Sequence, residues 1–249
     1  MLPTLPATDK PQRILLADDD DELCAMLVDY LAGEGFDCDT AHDGATALHM
    51  ALHSQYQAVV LDVMMPRLNG FEVMRRLREQ GTVPILMLTA RGEENDSIIG
   101  LEIGADDYLT KPCSPRMLAV RLRAVLRRSG HWHAAQPASV VSGVLTMGRV
   151  SLHAGSRKVF LDGDDLNLTS AEFNLLHVLM REAGQVVSRE TLCQQALGRR
   201  LTTYDRSVEI HISTLRRKLG QSARSGNPIC TVRGVGYLYA MIAEGEGAP

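Results

Sequence analysis

Cysteine is sparse and scattered in this chain of 249 residues: Cys24, Cys38, Cys113, Cys193 and Cys230, with no CxxC pair among them. An odd, dispersed set argues against a disulfide framework or a cysteine-based zinc site and suits reduced thiols in a cytoplasmic protein. No apolar run approaches the roughly 18 residues of a membrane span, so no membrane partner is expected. Met1 to Gln12 hold neither a basic n-region nor an apolar stretch, and no secretory leader is expected there. No internal repeat of fixed period is evident. What remains is ordinary globular composition, 45% hydrophobic and 22% charged, which excludes a disordered, collagen-like or coiled-coil chain. The length suits two domains.

The net charge of −4 hides two unlike halves. Residues 1–128 carry 20 acidic against 13 basic groups, whereas residues 129–249 carry 10 against 13. Within the second half, residues 189–233 hold nine basic and three acidic groups. An acidic half suits a cation, and a locally basic stripe suits nucleic acid. Drifting surface charge explains the asymmetry as well, so charge alone does not decide.

The pattern along the chain sets the domains at 12–128 and 143–241, joined by a linker at 129–142 of sequence SGHWHAAQPASVVS. Small and polar residues there show no helical or strand period. Trp132 is expected to pack on a domain surface, and His131 and His133 lack further metal ligands nearby. Before the linker, short apolar runs at 14–17, 58–61, 85–88 and 108–110, with a weaker one at 38–41, suit buried parallel strands. Amphipathic segments alternate with them, as in Leu23, Met26, Leu27, Tyr30 and Leu31, after which Gly35 is placed to cap. Five strands alternating with five helices predict an α/β fold with a doubly wound parallel sheet. After the linker come short strand-like pieces, helices at 170–183, 188–196 and 205–219, and a closing hairpin at 229–232 and 237–240.

Doubly wound sheets place ligands beyond the carboxyl ends of their strands. The residues just past the runs are Asp18, Asp19, Asp20 and Asp21, then Asp62, then Thr89, then Lys111. Clustered carboxylates repel one another, and a hard cation such as Mg²⁺ relieves that repulsion. A carboxylate beside Mg²⁺ is also a nucleophile toward phosphorus, with a lysine and a hydroxyl to hold the anionic oxygens. Asp20 or Asp21 is equally suited to capping the first helix.

These pieces resemble the receiver domain of bacterial two-component response regulators, a flavodoxin-like fold. The matching text is ILLADDD at 14–20, LDVMMP at 61–66 with Gly70, LTAR at 88–91 and GADDYLTKP at 104–112. The resemblance implies that Asp62 is the phosphoacceptor for a sensor histidine kinase. It implies that Asp18 and Asp19 are the acidic pair, with Asp19, Asp62 and the Met64 carbonyl coordinating Mg²⁺. Thr89 then contacts the phosphoryl group, Lys111 pairs with it, and Tyr108 is the aromatic switch. A phosphorylation-driven homodimer follows, with Asp107–Arg121 and Asp106–Arg128 as intersubunit pairs. Met117 and Ser97 depart from a third charged pair, and Cys113 replaces the usual phenylalanine after Lys-Pro.

On a helical wheel of about 100° per residue, Val208, Ile212, Leu215 and Leu219 share one face of the 205–219 helix. Arg206, Ile210, Ser213, Thr214 and Arg217 fall opposite, a set suited to a major groove, with His211 at its edge. Arg233 sits at the hairpin turn, where a long cation suits a minor groove. Three helices and a terminal hairpin form a winged helix-turn-helix, an α+β domain. Residues 143–241 resemble the DNA-binding domain of the OmpR/PhoB family, through LTSAEFNLLHVL at 168–179, GQVVSRETL at 184–192, DRSVEIHISTLRRKLG at 205–220 and TVRGVGY at 231–237. GRRLTTYD at 198–205 and RRSGHW at 127–132 are most similar to CpxR-type regulators. That resemblance implies promoter DNA with tandem half-sites, RNA polymerase at residues 197–204, and an envelope-stress signal.

Two other readings use the same residues. One is a Mg²⁺-dependent phosphohydrolase or phosphotransferase with Asp62 as nucleophile, which lacks a second acid or base at Met64 and has no substrate cap. The other is a DNA-binding protein indifferent to phosphorylation, against which Asp62, Thr89 and Lys111 stand intact. A regulator that is not an enzyme is the expectation.

Overall fold

The computed structural model describes residues 11–90, 94–129, 143–203, 205–220 and 227–240. Trp132, His131 and His133, most of the 129–142 segment, Arg91 and Tyr204 lie outside the described residues. Contacts divide the chain into two compact units, Met1–Pro137 and Ala138–Pro249.

The first unit alternates β1 (Gln12–Ala17), α1 (Asp21–Gly33), β2 (Phe36–Ala41), α2 (Gly44–His53), β3 (Ala58–Asp62), α3 (Gly70–Gln80), β4 (Ile85–Thr89), α4 (Glu94–Ile103), β5 (Asp107–Thr110) and α5 (Pro115–Ser129). The strands form one parallel sheet in the order β2-β1-β3-β4-β5. The expected α/β doubly wound sheet is therefore present. Alternation at period two divides its interior. Ile14, Leu16, Ala58, Val60, Leu86 and Leu88 pack on one face with Leu27 and Leu31 of α1 and Leu118, Leu122 and Leu126 of α5. Their neighbours Leu15, Val59, Leu61, Ile85 and Met87 are equally buried and face the other side. Both faces are covered, which is why these strands read as continuous apolar runs.

Local chemistry sets the helix starts. Asp20 accepts from the Leu23 amide at 2.9 Å, Asp43 from Ala45 and Thr46, and Asn69 from Glu72. Asp20 thus caps α1, and Asp21 lies in its first turn. Glu34 ends that helix and Gly35 follows at φ +87°, the left-handed residue expected there.

The second unit opens with an antiparallel sheet of β6 (Val144–Met147), β7 (Val150–His153), β8 (Lys158–Leu161) and β9 (Asp164–Asp165). α6 (Ser170–Arg181), β10 (Val186–Ser188), α7 (Arg189–Ala196), α8 (Ser207–Lys218), β11 (Ile229–Val232) and β12 (Gly236–Tyr239) follow. The hairpin of β11 and β12 gains a third strand, since β10 pairs with β12. The β-branched pair Val186-Val187 between Gly184 and Ser188 carried that signal, too short to register as a strand alone. The core joins Leu175, Leu176 and Leu179 of α6 to Leu192 of α7, Val208, Ile212 and Leu215 of α8, and Tyr237 and Tyr239 of β12. α6 opens with a reciprocal capping box of Thr169 and Glu172.

Candidate functional site

Strand order reverses between β1 and β3, and the crevice of a doubly wound sheet opens there. Register places Ala17 opposite Leu61, Asp62 opposite Leu88 and Thr89 opposite Thr110. Asp18, Asp62, Thr89 and Lys111 are thereby brought to one edge from four strands. Asp18 and Asp62 are 0% and 4% exposed. Close approach is possible because position 70 is glycine. A Cβ on Gly70 would lie 2.1 Å from the Asp62 carbonyl oxygen, while its amide donates to Val63 O at 2.9 Å.

Lys111 bridges the two buried carboxylates, with Nζ 2.6 Å from Asp18 Oδ2 and 2.8 Å from Asp62 Oδ1. The Met64 amide donates to the other Asp62 oxygen at 3.0 Å, which fixes the carboxylate plane. Burial raises the Asp18 pKa above its ordinary value, and the Lys111 ammonium opposes that shift. Burial alone would lower Lys111, but its contacts with Asp18 and Asp62 outweigh it and the pKa rises. The Thr89 hydroxyl is fully buried and has no hydrogen-bond partner among the described residues. An orphaned hydroxyl beside a carboxylate and an ammonium is a place prepared for an anionic oxygen. Asp18, Asp19 and Asp62 offer ligand atoms within 4.8 Å of one another, and two of the three are buried. This all-oxygen donor set fits a hard divalent cation. Half-buried Tyr108 lies on β5, three residues before Lys111.

The residues expected at the dimer face make contacts within the chain itself. Asp106 is 1% exposed and turned inward, accepting from the Ile85 amide at 2.9 Å and from Arg78 Nη2 at 3.1 Å. Arg78 also donates to Gly104 O and Val83 O, so it ties the end of α3 to the turn before β5. Arg128 is buried too and donates to Ala124 O within its own helix. Asp107 is 1% exposed and pairs with Arg121 of the same chain at 3.0 Å. Asp106, Asp107 and Arg128 are buried and Arg121 is half-buried, and each makes a contact within its own chain. Exposed side chains on α4 and α5 include the apolar Ile99, Met117 and Val120 beside the charged Glu102, Arg116 and Arg127.

The α8 face also narrows. Arg206, Ser213 and Arg217 are exposed, as is Arg233 at the turn between β11 and β12. Ile210 and Thr214 are buried at 7% and 4% exposure, contrary to the outward placement expected of them, and His211, expected at the edge of that face, is buried at 1%. The wheel assumed one buried face, whereas α8 packs on α6 and α7 and is also held by β11. Arg216 supplies that last contact, donating to Ile229 O at 2.9 Å and to Thr231 Oγ1 at 2.7 Å. Sequence reading passed over Arg216, because nothing in a periodicity distinguishes an arginine that ties a wing from one that meets solvent.

The family model for the response regulator receiver domain matches residues 14–123, and that for the C-terminal domain of transcriptional regulatory proteins matches residues 163–239. The transcriptional regulatory protein CpxR of Klebsiella pneumoniae is 48% identical over 228 residues, 91% of this chain and 97% of that protein. The chain belongs to the OmpR/PhoB family of response regulators. The DNA-binding response regulator MtrA of Mycolicibacterium smegmatis is 41% identical over 91% of this chain and 96% of its own length. Among solved structures, a RitR mutant aligns with TM-score 0.72 and 25% identity over 92% of this chain and 98% of its own. This response regulator is a phosphorylation-activated transcriptional regulator, with a receiver unit preceding a winged-helix DNA-binding unit. Among the described residues no helix is long and apolar enough to cross a membrane.

Proposed function

We propose that Asp62 accepts a phosphoryl group from a sensor histidine kinase and that this event controls binding of promoter DNA. The supporting observation is the buried Thr89 hydroxyl, without a partner among the described residues, at the strand end next to the one where Lys111 holds Asp62. An Asp62 oxygen attacks phosphorus; a P–O bond forms as the P–N bond to histidine breaks, and the nitrogen takes the electron pair and then a proton. Lys111 and Thr89 then hold the new oxygens by an ion pair and a hydrogen bond. Asp19, Asp62 and the Met64 carbonyl, with Asp18, would hold Mg²⁺, which would neutralise charge on the phosphoryl oxygens. The matching relatives are transcriptional regulators, which favours this self-modifying chemistry over turnover of external phosphoesters.

Output follows from engaging Thr89 on β4, beside β5 and Tyr108. The dimer face on this reading uses exposed Ile99, Met117 and Val120 together with the rim of the Asp107–Arg121 pair. In the second unit, Arg206, Ser213 and Arg217 face the major groove and Arg233 the minor groove. Residues 197–204 meet RNA polymerase. The protein works in the cytoplasm, and its likeness to CpxR points to an envelope-stress signal. Operator binding by the full chain, with and without acetyl phosphate, tests the reading. Stimulation in wild type and none in Asp62→Ala is expected; equal stimulation in both overturns it.

A further inference from the structure

Side-chain caps begin α1, α2, α3, α6 and α7, yet α8 starts at Arg206 with no side-chain cap from that residue. A helix start without a cap frays, because its first amides have no intrahelical acceptors. Here the position matters most, since Arg206 is one of the few exposed cations on the DNA face. Its neighbours on both sides, Asp205 and Ser207, are buried at 8% and 1% exposure. Both are held by one residue of the α7–α8 connection, Arg199.

The Arg199 guanidinium forms a forked ion pair with Asp205, Nη2 reaching Oδ1 at 3.2 Å and Nη1 contacting Oδ2. The same Nη2 donates to Ser207 Oγ at 2.7 Å. Nη1 also approaches Cys193 Sγ of α7 at 3.7 Å. Asp205 in turn accepts from the Ser207 amide at 3.0 Å, supplying the cap that Arg206 does not, and its own amide donates to Thr202 O at 3.1 Å. The Arg199 side chain is only 9% exposed, too buried to meet DNA itself.

We propose that Arg199 is a positioning residue for DNA binding: by holding Asp205 and Ser207, the residues on either side of Arg206, it aims Arg206 at the DNA. The proposal rests on the reading of Arg206 as a DNA contact. A planar guanidinium serves both partners at once, because its fork fixes two directions of donation. A lysine ammonium pairs with Asp205 but does not reproduce that geometry.

The test is a double-mutant cycle on the full chain, with a short duplex enriched from a random pool by the wild-type protein. Arg206→Ala is expected to weaken binding about tenfold and to lower the salt slope by about one. Arg199→Lys is expected to weaken wild type to a similar degree but to change the Arg206→Ala protein less than about twofold. Ser207→Ala removes only the hydroxyl contact and places a good helix former there, so it follows the same pattern, more weakly, without lowering the melting temperature. Equal loss on adding Arg199→Lys to both backgrounds overturns the positioning role and leaves the Arg206 contact standing. Wild-type affinity and slope in Arg206→Ala overturn both. Should Arg199→Lys unfold the domain, Ser207→Ala decides, and unchanged affinity in that variant overturns the proposal.

Discussion

Lys111 lies 2.8 Å from Asp62 and is joined to Asp18 as well, so a single ammonium separates two carboxylates at the switch point of the sheet. One of the three negative charges of Asp18, Asp19 and Asp62 is thus balanced before any cation or phosphoryl group arrives. The same ammonium is placed to follow negative charge from the carboxylates onto a phosphoryl oxygen.

Replacing Lys111 with Met leaves the buried Asp18 and Asp62 carboxylates facing each other. The receiver unit is expected to lose about 3 kcal/mol, the scale for breaking a buried ion pair. Mg²⁺ supplies the missing cation, so it should raise the melting temperature of the variant more than that of wild type. Equal shifts in both proteins would show that Lys111 does not balance this site.

Arg78→Ala removes the guanidinium that holds Asp106, Gly104 O and Val83 O. Denaturation should show a loss of about 3 kcal/mol in the receiver unit, since Asp106 is buried. Were Asp106 a surface group awaiting a partner subunit, the loss would fall below about 1 kcal/mol.

The two sites differ in how much of them the sequence disclosed. Asp18, Asp62, Thr89 and Lys111 were legible because parallel register forces strand ends together, and each lies just past an apolar run. The DNA face was half legible. Arg206, Ser213 and Arg217 were placed outward correctly, but Ile210 and Thr214 were not, because a wheel counts one buried face and α8 has more than one. Arg78, Arg199 and Arg216 escaped notice for a shared reason. An arginine reads as surface in any hydropathy pattern, and only its distant partners in three dimensions reveal it as interior. β10 was missed because three residues are too few to show a period.

Ile210→Ala and Arg217→Ala should part company. Ile210 is buried, so its truncation should cost about 2–4 kcal/mol and lower the melting temperature of the second unit. Arg217 is exposed; its loss should leave melting unchanged and reduce the salt slope of operator binding by about one. The opposite assignment of effects would restore Ile210 to the groove.

His177 is expected to make the second unit sensitive to mild acid. Burial, then Arg181 and Arg157, lower its pKa below the ordinary 6.5. The unfolded chain therefore binds a proton first as pH falls. Stability contributed by the neutral ring is complete above pH 6.5 and is lost as pH drops through that value toward the lowered folded pKa. Calorimetry between about pH 7.5 and 5.5 should show a falling melting temperature in wild type and a flatter profile in His177→Gln. Identical profiles would exclude His177 as the source.

The most direct measurement is intact mass together with native oligomeric state, in Mg²⁺ and acetyl phosphate, for wild type and Asp62→Ala. One added phosphoryl group with a shift from monomer to dimer in wild type, and neither in Asp62→Ala, is the predicted result. A phosphoryl group retained at the same stoichiometry in Asp62→Ala would contradict the account.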